Sequence, residues 1–188
     1  MQAFSKIALV AALGLSAAGV MAGEISNSTI SGNHANNEAT AKDAKAYQHI
    51  GVTFGNGKIL KSTIRADEAK NHARGEGSVA HQDIGRALQG GTMDNVSVYA
   101  RNAHNDAFGK NSVANQRIGS VAAGTMKDVT IYARNATNKA SGEKSTATQE
   151  IGVVHKGKMQ NVTVYADNAS NLASGKNSVA EQKIGVVN

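Results

Sequence analysis

Apolar and polar residues alternate along most of this chain. Val96, Val98, Ala100 and Asn102 fall on one face, and Ser97, Tyr99 and Arg101 on the other. A little further on, Ser112, Ala114, Gln116 and Ile118 alternate with Val113, Asn115 and Arg117. A period of two is that of a β-strand, whose successive side chains point to opposite sides. A helix over a segment such as Asp67–Ala73 would need a wider apolar stripe than small alanines provide. Glycines punctuate the strands. Gly75, Gly109, Gly142 and Gly175 mark one expected corner, and Gly57, Gly91, Gly124 and Gly157 another. Positive φ is expected at both.

The alternation itself recurs. Counted from Ile30, Ile64, Val98, Ile131 and Val164, five copies align without a gap over the next twenty-one positions. Seven places on stand Asn37, Asn71, Asn105, Asn138 and Asn171; eighteen on stand Gln48, Gln82, Gln116, Gln149 and Gln182. An Ile-Gly pair closes each copy, at intervals of 34, 34, 33 and 33 residues. A fixed period of this size marks a repeat architecture. The sequence predicts an all-β fold: a cross-β-like β-solenoid of five stacked coils of about 33 residues, with two or three short strands per coil. The coils span about 25–54, 55–88, 89–121, 122–154 and 155–188. The first copy is the most divergent, with Gly32 for Ala, Ala41 for Gly and Ala44 for Ser, which makes it a candidate partial cap.

Stacking in register makes a prediction about charge. Twelve places after the lead residues stand Lys42, Glu76, Lys110, Glu143 and Lys176, alternating in sign at every step. Nineteen places on stand His49, Asp83, Arg117, Glu150 and Lys183, alternating from Asp83 onward. Opposite charges on facing strands help by roughly 0.2–1 kcal/mol and like charges hurt. Both columns are therefore expected as charge ladders on the solvated surface. The Asn and Gln columns point inward and are expected to form structural ladders, each side-chain amide bonding to the coils above and below. Small Ala columns let the walls approach, and Met93, Met126 and Met159, with Ile59 before them, fill the remaining space.

Composition narrows the classes. Residues 1–22 carry Lys6, an apolar run and Val20-Met21-Ala22 before Gly23, the pattern of a secretory signal peptide. That run is short for a membrane span, and no other such stretch follows, so the expected mature domain, 23–188, is exported without a membrane span. The chain holds 20 Lys and Arg against 14 Asp and Glu, but the signs alternate and no basic block appears, so no specific nucleic-acid partner is expected. It has no Cys and no Pro, and 4% aromatic residues. Neither disulfides nor a thick core is available to it. The histidines (His34, His49, His72, His81, His104 and His155) sit in different columns without zinc-type spacing and read as surface variation. No metal, cofactor or catalytic residue is expected, because the acids vary by column and no nucleophile stands with a base.

Identical ladders at both ends of a stack invite head-to-tail addition of further copies, and a heterologous contact that does not close makes a filament. In its expected signal, its five-fold repeat over the mature chain, and its Ser112/Ala114/Gln116/Ile118-Gly119 and Asn102-Ala103/Asn105/Ala107 patterns, the chain resembles the bacterial functional amyloids, the curlin-type and Fap-type fibre subunits. The resemblance implies export through an outer-membrane pore and extracellular self-polymerisation, with a nucleator subunit as a further partner. It also implies a role in adhesion and biofilm scaffolding on a bacterial surface. The alternative expectation is a monomeric solenoid adhesin. Its surface-, glycan- or ice-binding face would be the column Thr63, Ser97, Thr130, Thr163 beside Tyr99, Tyr132 and Tyr165.

Overall fold

The structure, a computed structural model, describes residues 23–188. The expected signal peptide at 1–22 lies outside the described residues. The chain winds as a parallel β-solenoid of about five turns, with four sheets running along the stack. Sheet A holds Glu24–Ser26, Lys58–Leu60, Thr92–Asp94, Thr125–Lys127 and Lys158–Gln160. Sheet B holds Thr29–Asn33, Thr63–Asp67, Ser97–Arg101, Thr130–Arg134 and Thr163–Asp167. Sheet C holds Asn36–Thr40, Lys70–Arg74, His104–Phe108, Thr137–Ser141 and Ser170–Ser174. Sheet D holds Lys45–Thr53, Val79–Ala87, Val113–Ala122, Thr146–Ile151 and Val179–Ile184, with Val154–His155 paired beside it. The stack is in register: Asn105 pairs with Asn71 and Asn138, and Gln116 with Gln82 and Gln149.

Each coil thus has four strands where the sequence predicts two or three. The extra division comes from corners that no glycine marks. Asn95 and Asn102 take φ of 53° and 54°, as do their equivalents with φ of 47–55°. Asn is among the non-Gly residues that tolerate this left-handed region best, because its short amide bonds locally. Asn102 therefore turns the chain between sheets B and C and does not continue the face of Val98 and Ala100. The two predicted glycine corners also differ in cause. Gly75, Gly109, Gly142 and Gly175 have φ between +123° and +134°, as expected. Gly57, Gly91, Gly124 and Gly157 do not have positive φ. There the backbones touch: a Cβ on Gly124 would stand 1.8 Å from the Gly91 carbonyl oxygen.

The interior has two apolar parts. The larger is built from Ile64, Ile84, Met93, Val98, Ile118, Met126, Ile131 and their neighbours between sheets A, B and D. The smaller is a narrow arm between sheets C and D whose buried apolar residues are all alanine: Ala46, Ala73, Ala80, Ala107, Ala114, Ala140 and Ala147. Alanine is what allows those two sheets to close on each other. The buried Asn and Gln columns satisfy the main chain nearby. Gln116 Nε2 donates to the Ala103 carbonyl at 3.0 Å, and Asn105 Nδ2 to the Ala80 carbonyl at 3.1 Å.

Candidate functional surfaces

Three features carry the predicted site residues: the amide ladders, the charge columns and the outward face of sheet B. The amide ladders are continuous. Asn37 Nδ2 donates to Asn71 Oδ1, Asn71 to Asn105, Asn105 to Asn138 and Asn138 to Asn171, all at 2.7–2.8 Å. The Gln ladder runs the other way. Gln82 donates to Gln48 at 2.6 Å, Gln116 to Gln82 at 2.8 Å, Gln149 to Gln116 at 2.7 Å, and Gln182 to Gln149. A third ladder, Asn168 to Asn135 to Asn102, runs along the corner between sheets B and C. The repetition of Asn at that position was its sequence signal.

The two charge columns part company. Lys42, Glu76, Lys110, Glu143 and Lys176 lie on the exposed corner between sheets C and D. Among the described residues only Lys110 and Glu143 approach, at 3.8 Å, with both side chains about half exposed. Such a pair is worth at most a few tenths of a kcal/mol. The acids of the other column are not on the solvated surface as expected. Asp83 is 1% exposed and Glu150 4%. Each strand of sheet D turns at its closing glycine, and the turn folds Arg86 back onto the face that carries Asp83, with Arg86 Nη1 3.0 Å from the carboxylate. Arg117 bridges the two acids, 3.9 Å from Asp83 and 3.0 Å from Glu150. Glu150 also meets His155 at 2.9 Å. Lys183 turns to Glu181 at 2.9 Å and leaves the column.

His49 and His81 complete this network, 3.4 and 2.9 Å from the Asp83 carboxylate. Sequence reading placed them in separate columns. The columns are neighbours on one outward face, which alternation two residues apart would have revealed. Burial by itself pushes the Asp83 carboxyl up. Hydrogen bonds from His49 and His81, then the charges of His81 and Arg86, outweigh it and hold the group far below the usual carboxylate range. Glu150 is likewise pushed up by burial but held below its ordinary value overall, by His155 and Arg117. The trio His49, His81 and Asp83 has a metal-binding donor set, with its ligand atoms within 4.8 Å of one another. Two guanidinium groups already supply the positive charge there, so the arrangement reads as an ion network.

The outward face of sheet B gathers the predicted binding residues. Thr63, Ser97, Thr130 and Thr163 stack in one column, and Tyr99, Tyr132 and Tyr165 in the next. The Tyr rings lie parallel, with centroids 5.1 and 4.8 Å apart. Arg65 covers the Tyr99 ring at 5.2 Å. Beside them Arg101 pairs with Asp67 at 3.1 Å and Arg134 with Asp167 at 3.7 Å, edging a shallow open groove. Tyr99 and Tyr132 spend their ring faces on neighbours, and only Tyr165, at the end of the stack among the described residues, leaves a ring face open. No family model, curated protein or solved structure matches this chain.

Proposed function

We propose that the protein is a secreted structural subunit that polymerises head to tail into extracellular amyloid-like fibres, serving biofilm matrix, adhesion or surface scaffolding. The observation that carries the reading is the state of the two ends. Among the described residues, the strands of the first coil, such as Thr29–Asn33, have a partner on one side only, as do those of the last, such as Thr163–Asp167. Core positions are uncovered at the far end, where Ile184 is 42% exposed against 0% for Ile118 and Ile151. Proteins that stay single normally block such edges with charge, Pro, bulges or a covering element. Export belongs to the same proposal and rests on the signal-peptide pattern of residues 1–22, and a nucleator and an outer-membrane pore on the sequence resemblance.

The test is electron microscopy of the purified chain after incubation at neutral pH, with diffraction from aligned material. The expected result is filaments with a repeat of about 4.7–4.8 Å along the axis. A persistently monomeric, β-rich protein would remove the fibre reading. The second reading, a monomeric adhesin or glycan- or ice-binding protein acting through the Thr/Tyr face, would then lead. It is favoured by the exposure of Tyr132 and Tyr165 beside the groove.

A further inference from the structure

We propose that copies join in the register of the coils themselves, the last coil of one copy against the first coil of the next, and that the corner at Ala41 and Lys42 is a brake on this joint. The inference rests on the fibre reading and names its partner surface: a second copy of this chain.

The ladders give the joint a polarity. The Asn ladder donates from the first coil toward the last, and the Gln ladder from the last toward the first. Among the described residues, the first coil therefore presents an Asn37 Oδ1 that no ladder donor reaches, and a Gln48 Nε2 with no ladder acceptor. The last coil presents the complements, Asn171 Nδ2 and Gln182 Oε1. Their main-chain bonds are already made, Gln48 to the Ala35 and Lys70 carbonyls and Asn171 to those of Ala147 and Glu181. What is missing at each end is the one ladder bond that every interior copy makes. Joining unlike ends supplies both bonds. Joining two like ends sets donor against donor in one ladder and acceptor against acceptor in the other, which leaves buried polar groups unpaired. Each column occurs once per coil, so only whole-coil register closes both ladders. That register also lays Lys158 over Glu24, since Lys58 already pairs with Glu24 at this position within the stack.

One corner does not fit. Gly75, Gly109, Gly142 and Gly175 each lie so close to the preceding coil that a Cβ would stand 1.9–2.2 Å from its carbonyl oxygen. The equivalent in the first coil is Ala41, which does not share the positive φ of those glycines. Among the described residues no coil lies beneath it, so the methyl is tolerated. To take the backbone of the other four corners in the joint, Ala41 would have to adopt their positive φ and set its methyl against the Gly175 carbonyl, and Lys42 beside it would come over Lys176. A methyl where the stack requires glycine and a like-charge pair where it alternates fall together, on the corner between sheets C and D. Sheets A and B are left free to pair. The joint closes both amide ladders and is obstructed at the corner between sheets C and D, which is the pattern of an edge guarded against premature addition.

The experiment uses the full chain, expressed with its own leader in an exporting host and purified as monomer. Filament growth is followed by light scattering and microscopy for the wild type and for Ala41→Gly/Lys42→Gln, which removes the charge facing Lys176 without setting a second acid beside Glu76. The double variant is expected to shorten the lag by about tenfold, the ratio that 1.4 kcal/mol produces. Register is read separately in a Thr29→Cys/Thr163→Cys chain, which has no other cysteine. Oxidation of its filaments is expected to give a ladder of disulfide-linked copies, because the two positions stack as Thr130 and Thr163 do. Thr29→Cys/Ser174→Cys is the control that only a rotated joint would link. Filaments that form with equal lag in wild type and double variant, or that link only the control pair, overturn this inference and leave the fibre reading standing. Filaments from the double variant alone support the brake and count against assembly of the unaided wild type. No filaments from any variant overturn both.

Discussion

At the residue scale, the side chains that matter most are polar and buried. Gln116 makes bonds to Gln82 and to the Ala103 and Thr137 carbonyls, and accepts one from Gln149. Truncating it leaves the buried Gln82 Oε1 without its donor and takes the ladder acceptor from Gln149 Nε2, at about 1–3 kcal/mol for a group left unsatisfied, and a cavity adds to this. Gln116→Ala is expected to cost about 3 kcal/mol or more in urea unfolding, and Gln182→Ala, on the exposed last coil, less than about 1. Equal costs for the two would mean that the ladder does not stabilise through burial. Asp83 and Glu150 set the pH response. Both are held below their ordinary values in the fold, so their contribution is complete above the unfolded carboxylate range near 4. It is lost as pH falls through the folded values. The urea midpoint is expected to stay level from about pH 8 to 5 with respect to these groups and to drop below about pH 4. Asp83→Asn, which strands Arg86 while Arg117 keeps Glu150, is expected to cost about 3–5 kcal/mol at neutral pH and to flatten the acid limb. A midpoint as high at pH 3 as at pH 6 would contradict the network.

At the element scale, short strands are kept short by their corners. The strands were legible because small and polar residues alternate strictly. Their number was not, because an Asn that turns the chain reads like an Asn that extends a face until its φ is known. The close-approach glycines show the same limit. A lone Gly in a strand pattern signals a corner, but whether φ or contact demands it depends on the coil beneath. Gly124→Ala tests the contact cause. Its new methyl meets the Gly91 carbonyl oxygen. The variant is expected to lose more than about 2 kcal/mol although φ there suits any residue. If φ alone mattered, alanine would stabilise by a few tenths.

At the scale of the whole molecule, a stack of five coils is only about 24 Å long, so its two ends are a large share of its surface. Interior coils are closed on both sides by their own kind, while end coils hold the same ladders unfinished. This is why the proposed activity sits at the ends and not in a pocket. It is also why the ends carry the tests by microscopy and cross-linking.

The sequence by itself determined the repeat, its length and the in-register stack, because period and charge alternation are properties of order along one chain. It also determined the two buried amide ladders, since an inward column with the same residue in every copy can stack upon itself; the corner ladder of Asn102, Asn135 and Asn168 emerged only with the fold. Tertiary structure decided what lies beneath what. It buried one charge column by folding Arg86 back over Asp83, and it brought His49 and His81 from separate columns to a single carboxylate. It gave the two ladders opposite directions, and it set Ala41 at a corner where every later coil needs glycine. These depend on how neighbouring backbones approach across about 34 residues of intervening chain, a distance that no local pattern spans.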